Sequence, residues 1–328
     1  MRKIVSYILV IFLIGYSFVS LEELVIAKDA NQCYVLEKEL EKTDEKYDVQ
    51  VYGSCHSYHT VDAGYLTNEK GISTYNKANP SEIMPVTYLR IKEQLKEYKP
   101  KVILVEVWGI SPYDTYLKAE SIMGKYLHPN LELIPLSLDK IEVINDFEEM
   151  DMLEDNIHIL RYKDRLVNLE ISSADYDYSF EKLREIYDPT KKNKHYKLID
   201  NRLSNNGFFS TPTNDVTEEY LEKQAVNNGE ELEIEANIFK YIEKIIDLCE
   251  KEGVKLIFFR APYVSNEVEL SRINYLNNYL DKRNVDFYDL EELIDYDYEN
   301  DFYDIWHLSQ TGATKTTDYL YDIIKDYI

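Results

Sequence analysis

Two apolar segments that lie far apart in the chain constrain its fold most strongly. Val102–Val107 is an apolar run broken by one glutamate, and Val254–Phe259 follows a glycine at the end of a long helical stretch. Short runs of branched apolar residues are typical of parallel strands that are buried on both faces. Amphipathic helical stretches flank both runs. The sequence therefore predicts an α/β fold with a doubly wound, mostly parallel sheet between two helical layers.

The same alternation predicts the other elements of this three-layer arrangement. The first strand ends at Gly53, and Ser309 or Thr311 is placed to cap the last helix. We expect helices over residues 56–67, 81–98, 231–251, 268–283 and 312–327, and further strands within residues 71–80 and 285–288.

The alternation is lost in the middle of the chain. Residues 112–235 contain helical stretches, including 138–168 and 176–187, and a polar loop near Asn205–Pro212. We interpret this region as a mainly helical insertion over the carboxyl edge of the sheet, acting as a lid, as an acceptor-binding element or only in packing. The predicted organisation is a signal-anchor segment, 1–27, and one α/β domain, 28–328, that contains the insertion.

The N-terminal segment predicts export. Residues 4–20 form an uncharged apolar run behind Arg2 and Lys3. This length is near the lower limit for a transmembrane helix, and the flanking positive charge predicts that the rest of the chain lies outside the cell. A cleaved signal peptide, with a weak site near Ala27–Ala30, is the competing interpretation and would give a secreted protein. We favour a single-pass protein of the cell membrane.

Charge and cysteine content exclude several function classes. The formal net charge of −24 argues against nucleic acid as a partner and against docking on anionic headgroups. The three cysteines, Cys33, Cys55 and Cys249, have no metal-ligand spacing. A Cys33–Cys55 disulfide stays open, because geometry decides such a pair. We predict no metal and no cofactor.

Two short motifs supply candidate chemistry. The first strand stops at Gly53-Ser54, which places a serine hydroxyl at the carboxyl edge of the sheet, and Asp304-x-x-His307 precedes the last helix. An acid three residues before a histidine is able to orient its imidazole, which in turn activates a serine. The alternatives are a plain turn at Ser54 and a capping aspartate beside a core histidine.

Several blocks together resemble the SGNH (GDSL-like) hydrolase superfamily, and more closely its membrane-anchored Firmicutes members. Those proteins have Gly-Ser-Ser-His-Ser/Ala-Tyr after the first strand, where this chain has Gly53-Ser54-Cys55-His56-Ser57-Tyr58. The resemblance covers roughly residues 48–110 and 235–328. Its other blocks are Thr87–Glu93, Pro100–Val107 and Asp304-x-x-His307-Leu308-Ser309-x-x-Gly312-Ala313.

This resemblance implies Ser54 as nucleophile, His307 as general base and Asp304 as its orienting acid. The resemblance also places Ala78 at an oxyanion-hole position that is usually a glycine in the superfamily. Its third block, Gly-x-Asn-Asp, is replaced here by Glu106-Val107-Trp108-Gly109, so an asparagine donor is missing. Asn76, in the neighbouring loop, is the candidate to replace this missing asparagine donor. The weaker oxyanion or substrate-binding candidates are thus Asn76, Ala78, Trp108 and Gly109.

Two neighbouring side chains receive other roles. Glu106, inside an apolar strand, is interpreted as a buried anchor or as a supporting group behind the site. Cys55 is expected to point away from the site if strand alternation continues past Ser54.

The resemblance implies an extracytoplasmic serine esterase or O-acyltransferase. It would act on acyl, especially acetyl, groups of cell-wall or exopolysaccharide sugars through an acyl-serine intermediate. The expected partners are an acylated carbohydrate or acyl donor and the surface-polysaccharide machinery. One alternative is a catalytically silent scaffold that binds or helps assemble surface glycan. Another is a metal-dependent hydrolase that uses His56, His59 and His307.

Overall fold

The centre of the protein is a five-stranded parallel sheet. The computed structural model describes residues 2–25, 36, 45–110, 127–132, 134–147, 150–161 and 200–328. The order β2-β1-β3-β4-β5 is a common doubly wound order, with every neighbouring pair parallel. The predicted α/β class and parallel sheet are confirmed. The strands are β1 (Val49–Tyr52), β2 (Thr74–Asn76), β3 (Val102–Glu106), β4 (Lys255–Arg260) and β5 (Asp286–Asp289).

Helices follow or precede each strand, as the alternation of the sequence predicts. Within the described residues these helices are α1 (Arg2–Val25), α2 (Cys55–Thr60), α3 (Ala63–Asn68), α4 (Met84–Glu97), α5 (His128–Glu132), α6 (Leu138–Asn145), α7 (His158–Arg161), α8 (Thr217–Lys223), α9 (Ala236–Glu252), α10 (Glu267–Lys282), α11 (Leu290–Leu293) and α12 (Gln310–Ile324).

The two faces of the sheet are covered by different helices. Side chains of β3 alternate between the faces, so Ile103 and Val105 pack in one apolar cluster with residues of α4 and α9. Val102 and Leu104 pack in a second cluster with residues of α3 and α12. Each fully buried branched side chain contributes about 1.5–3 kcal/mol through removal of apolar surface from water. The continuous apolar pattern of β3 therefore reflects burial on both sides.

A short antiparallel ribbon precedes the last helix, in a region that the sequence predicts only as a loop. Its strands are β6 (Phe302–Asp304) and β7 (His307–Leu308), and a third apolar cluster contains Phe302 and Leu308. The hydroxyl of Ser309 accepts from the Gly312 N–H and caps α12, as one of the two predicted caps. The ribbon fixes the start of α12 beside the sheet.

The insertion is described only in part. Helices α5 to α8 lie within it, and the loop at Gly207 contacts the sheet edge: Asn206 O accepts from the Asn76 N–H at 2.8 Å, and Phe209 N–H donates to Tyr58 O at 2.8 Å. This loop covers the first turns that follow β1. The predicted helical stretch 176–187 lies outside the described residues.

The N-terminal apolar run is helical, as α1. Within the described ranges, none of the helices combines the length and apolarity needed to cross a membrane. Cys33 and the candidate cleavage site at residues 27–30 lie outside the described residues. Cys55 and Cys249 carry free thiols.

Candidate active site

A buried carboxyl group lies behind the end of β1. Glu106, at the end of β3, accepts from the Ser54 hydroxyl at 2.7 Å and the Ser54 N–H at 3.2 Å through Oε2, and from the Trp108 N–H at 2.6 Å through Oε1. Gly53 has φ +135°, and a Cβ there would lie 2.6 Å from the Glu106 Cβ. Burial raises the pKa of Glu106 to about 7, against the opposing effect of these donors. Glu106 therefore anchors the turn after β1, in agreement with its predicted structural role.

Ser54, the predicted nucleophile, is part of this anchor. Its side chain is fully buried, donates to Glu106 and accepts from the His56 N–H at 3.3 Å as the N-cap of α2. Within the described part of the chain, no hydrogen bond joins Ser54 to His307. The structure thus gives the Ser54 hydroxyl a different partner from the predicted one, because the end of β1 turns it towards β3.

Asp304 and His307 form the predicted pair. The two carboxylate oxygens lie 2.9 Å and 3.0 Å from His307 Nδ1, and Oδ1 also accepts from the Trp306 N–H at 2.8 Å. Burial favours the neutral form of Asp304, but the bonds from His307 and Trp306 outweigh burial and lower its pKa. The imidazole is therefore held by a charged carboxylate.

Cys55 is the second side chain that acts on His307. Burial lowers the pKa of His307, but the bond to Asp304 and the interaction with the Cys55 thiol outweigh it and raise this pKa to about 9. Within the described residues, His307 Nε2 is buried and has no hydrogen-bond partner, while Nδ1 is bonded to Asp304. The expectation that Cys55 points away is wrong, because the strand ends at Tyr52 and Cys55 already begins α2.

The sequence gives no signal for Cys55 as a reacting group. The motif of the resembling proteins has two consecutive serines, and Cys55 stands at the second of these positions. The resemblance implies the nucleophile at the first position, Ser54, so a role for Cys55 rests on its interaction with His307 in the structure.

Neutral aromatic groups lie around the His307 imidazole. The ring of His56 lies 5.3 Å from that of His307 and 4.4 Å from that of Tyr263, and the ring of His59 lies 4.4 Å from that of His307. Burial lowers the pKa of His56 to about 3 and that of His59 well below its ordinary value. His56 and His59 are therefore uncharged at neutral pH and form part of the wall of the site.

These histidines do not form a metal centre with their neighbours. Within the ranges that the structure describes, no group of three or more His, Cys, Asp or Glu side chains is placed to hold a metal ion. His56 Nδ1 instead lies 2.7 Å from the Trp306 carbonyl oxygen.

Two of the predicted oxyanion donors are already used within the fold. Asn76 Nδ2 donates to Ser57 O at 3.0 Å and Val61 O at 3.1 Å, while its Oδ1 accepts from the Ala78 N–H at 3.2 Å. In this structure both groups stabilise the loop after β2, and their roles as oxyanion donors stay predictions.

The other two weak candidates lie in the turn after β3. The Trp108 ring is 5.6 Å from that of His56 and borders the site. Gly109 packs against backbone, since a Cβ would lie 2.8 Å from Glu82 O. Trp108 thus borders the site, where its role in substrate binding stays a prediction, and Gly109 serves the close packing of this turn.

Comparison with known proteins covers only the C-terminal part of the chain. A protein-family model of uncharacterised function matches residues 216–328, which contain β4, β5, the Asp304–His307 pair and α12. No curated protein sequence matches the chain significantly. The resemblance to the SGNH superfamily therefore stays a prediction.

Proposed function

We propose that this protein is an acyl-transfer enzyme, an esterase or O-acyltransferase, that uses the Cys55 thiolate as its nucleophile. The observation that carries the proposal is that His307 is bonded to Asp304 through Nδ1 and also interacts with the Cys55 thiol. Nucleophile, base and orienting acid in this order are the arrangement that forms covalent acyl intermediates. The proposal keeps the predicted reaction class and replaces the predicted serine by the neighbouring cysteine.

The charge state of His307 favours a cysteine over a serine. With a pKa of about 9, its imidazole is protonated at neutral pH. A neutral imidazole is needed to accept the proton of a serine hydroxyl, whereas an imidazolium stabilises an adjacent thiolate. Within the described residues, the buried Ser54 hydroxyl is bonded to Glu106 and not to an imidazole. His307 is thus suited to acting on a neighbouring thiol rather than on Ser54.

The reaction then runs in two balanced halves. In the first, the Cys55 thiolate attacks the acyl carbon, the C–S bond forms, and His307 gives its proton to the leaving alkoxide as the C–O bond breaks. In the second, neutral His307 accepts a proton from water or a sugar hydroxyl, whose oxygen attacks the thioester. The C–S bond breaks and the thiolate–imidazolium pair is restored.

The proposed substrate class is an acylated carbohydrate of the cell surface. Trp306 is 44% exposed beside the site, and the Trp108 ring borders it. Exposed indole faces of this kind provide apolar, polarisable surfaces for stacking. Whether water or a sugar accepts the acyl group decides between esterase and acyltransferase.

The test is residue-resolved labelling of the full-length protein at about neutral pH. We expect an iodoacetamide probe to modify Cys55 rapidly in the wild type and in Ser54→Ala, and slowly in His307→Ala. Cys249 is the internal control, because it is 1% exposed and burial raises its thiol pKa to about 12. p-Nitrophenyl acetate should give a burst of nitrophenol that Cys55→Ala abolishes.

Two outcomes contradict the proposal. Labelling by a fluorophosphonate that requires Ser54 and His307 would return the nucleophile role to Ser54. A folded wild type that reacts with neither probe would favour the silent glycan-binding scaffold, and binding to acylated polysaccharide would then be measured.

Export is a separate part of the proposal and rests on the sequence of the N-terminal segment alone. We expect the chain in the membrane fraction of its cells, with the catalytic part open to protease added outside. Recovery from the cytoplasm would remove the cell-surface substrate class without affecting the chemistry of Cys55.

A further inference from the structure

Acyl transfer at Cys55 requires hydrogen-bond donors for a negative oxygen. When a thiolate adds to an acyl carbon, the C=O electron pair moves to oxygen, and donors aimed at that oxygen stabilise the transition state. Asn76 Nδ2 and the Ala78 N–H have partners within the fold. The site therefore needs another donor if the proposed function holds.

Asn79 carries a buried amide without a partner. The residue is 2% exposed, and its Nδ2 makes no hydrogen bond within the described part of the chain. Buried amide groups in proteins are nearly always hydrogen-bonded, so an orphan donor of this kind requires an explanation. One explanation is that this amide donates to an oxygen of a ligand that is present only during the reaction.

The backbone holds Asn79 next to the turn that bears the nucleophile. Its N–H donates to Gly53 O at 3.0 Å, and its own carbonyl oxygen accepts from the Glu82 N–H at 3.3 Å. Gly53 is two residues before Cys55. These bonds fix the main chain of Asn79 independently of its side chain, so the amide is attached to a rigid support beside the nucleophile.

The donor and the base come from different elements. Asn79 belongs to the loop after β2, which pairs with β1, whereas His307 belongs to the ribbon before α12.

From this geometry we infer that Asn79 Nδ2 donates to the oxyanion that forms when Cys55 attacks an acyl carbonyl. The inference rests on the proposed function and adds the donor that the sequence lacks after its third strand. As the C–S bond forms, the carbonyl π pair becomes the oxyanion that Asn79 binds. As the C–O bond breaks, this pair returns to the carbonyl, and the alkoxide leaves with the proton of His307.

Two reactions of the same thiol separate this role from nucleophile activation. Alkylation by iodoacetamide is a displacement without an oxyanion, whereas acylation by p-nitrophenyl acetate forms one. In the full-length protein we expect Asn79→Ala to slow single-turnover acylation by about 10²–10³-fold and to leave alkylation within about twofold. Ser57→Ala is the control, because the Ser57 hydroxyl is also buried and has no hydrogen-bond partner among the described residues, and both rates should be unchanged.

Asn79→Asp serves as a second variant of the same shape if the alanine variant does not fold. Its carboxylate presents acceptors only, so acylation should also be slow while alkylation continues. Equal loss of both reactions, or no loss of acylation, would overturn the role of Asn79 and leave the proposed function intact. A wild-type Cys55 that reacts with neither reagent would overturn the proposed function and this inference together.

Discussion

His307 Nδ1 lies 2.9 Å from Oδ1 and 3.0 Å from Oδ2 of Asp304. Asp304 accepts at this nitrogen, so Nδ1 carries a hydrogen in either charge state and Nε2 is the nitrogen that gains or loses the proton. The carboxylate thereby sets the tautomer of the base and supports its charged form.

Replacement of Asp304 by asparagine tests how the carboxylate acts on His307 while the base itself is kept. The amide keeps the size of the side chain but loses the charge that supports the imidazolium, so acylation by p-nitrophenyl acetate should fall by about 10²-fold or more. Asp322→Asn, which neutralises an exposed carboxylate paired with Lys325, is the control. Equal rates for wild type and Asp304→Asn would show that Asp304 does not act on His307 during the reaction.

The pH dependence of Cys55 alkylation follows from the raised pKa of His307. The imidazole is protonated below a pKa of about 9, so wild-type alkylation should exceed that of His307→Ala by about tenfold or more near neutral pH. As the pH rises through 9 the imidazolium is lost, and the two rates should converge. Stopped-time labelling across this range measures both curves, and curves that stay parallel would exclude an ion pair.

The sheet was predictable because its strands are defined by local pattern. Val102–Val107 and Val254–Phe259 are apolar on both faces, and β3 and β4 indeed pack between two helical layers. The ribbon of β6 and β7 was not predictable, since β7 contains only His307 and Leu308 and two residues show no alternation.

The site was predictable in part for similar reasons. Asp304 and His307 are three residues apart, so a turn alone brings them together. Cys55 was given the wrong direction because alternation was extended past the last strand residue, Tyr52, into the first turn of α2. The free amide of Asn79 depends on which acceptors surround it in space, and no local pattern records that.

Gly207 is expected to be the least tolerant of substitution among the glycines with positive φ. It has φ +87°, and a Cβ would lie 1.9 Å from Asn76 O, whereas Gly229 has φ +75° and open space around it. Gly229→Ala should cost about 1–2 kcal/mol from its backbone conformation, and Gly207→Ala about 3 kcal/mol or more because the clash adds to this cost.

Urea unfolding of the two variants measures this difference directly. Both substitutions place alanine at a similar positive φ, so the comparison tests the additional contact with Asn76. Equal unfolding free energies would mean that the loop at Gly207 moves away from β2 without cost.

The last prediction concerns the buried carboxyl group that anchors the turn of the nucleophile. The folded pKa of Glu106, about 7, lies above its ordinary value of 4.5. The folded protein therefore binds the Glu106 proton more strongly than the unfolded chain does. The stabilisation of the fold by this protonation is fully present below pH 4.5 and is lost as the pH rises through 7. Between about pH 5 and 8, Glu106 should remove about 2–3 kcal/mol from the free energy of unfolding.

Glu106→Gln tests this assignment because an amide does not ionise. At about pH 5 the variant should be less stable than the wild type by about 1–3 kcal/mol, since its NH₂ group must face a backbone N–H of Ser54 or Trp108. By about pH 8 the difference should shrink or reverse, while the exposed control Glu222→Gln follows the wild type throughout. Urea unfolding at both pH values gives the difference in unfolding free energy between each variant and the wild type. If the difference between wild type and Glu106→Gln is the same at both pH values, the pKa of Glu106 lies outside this range.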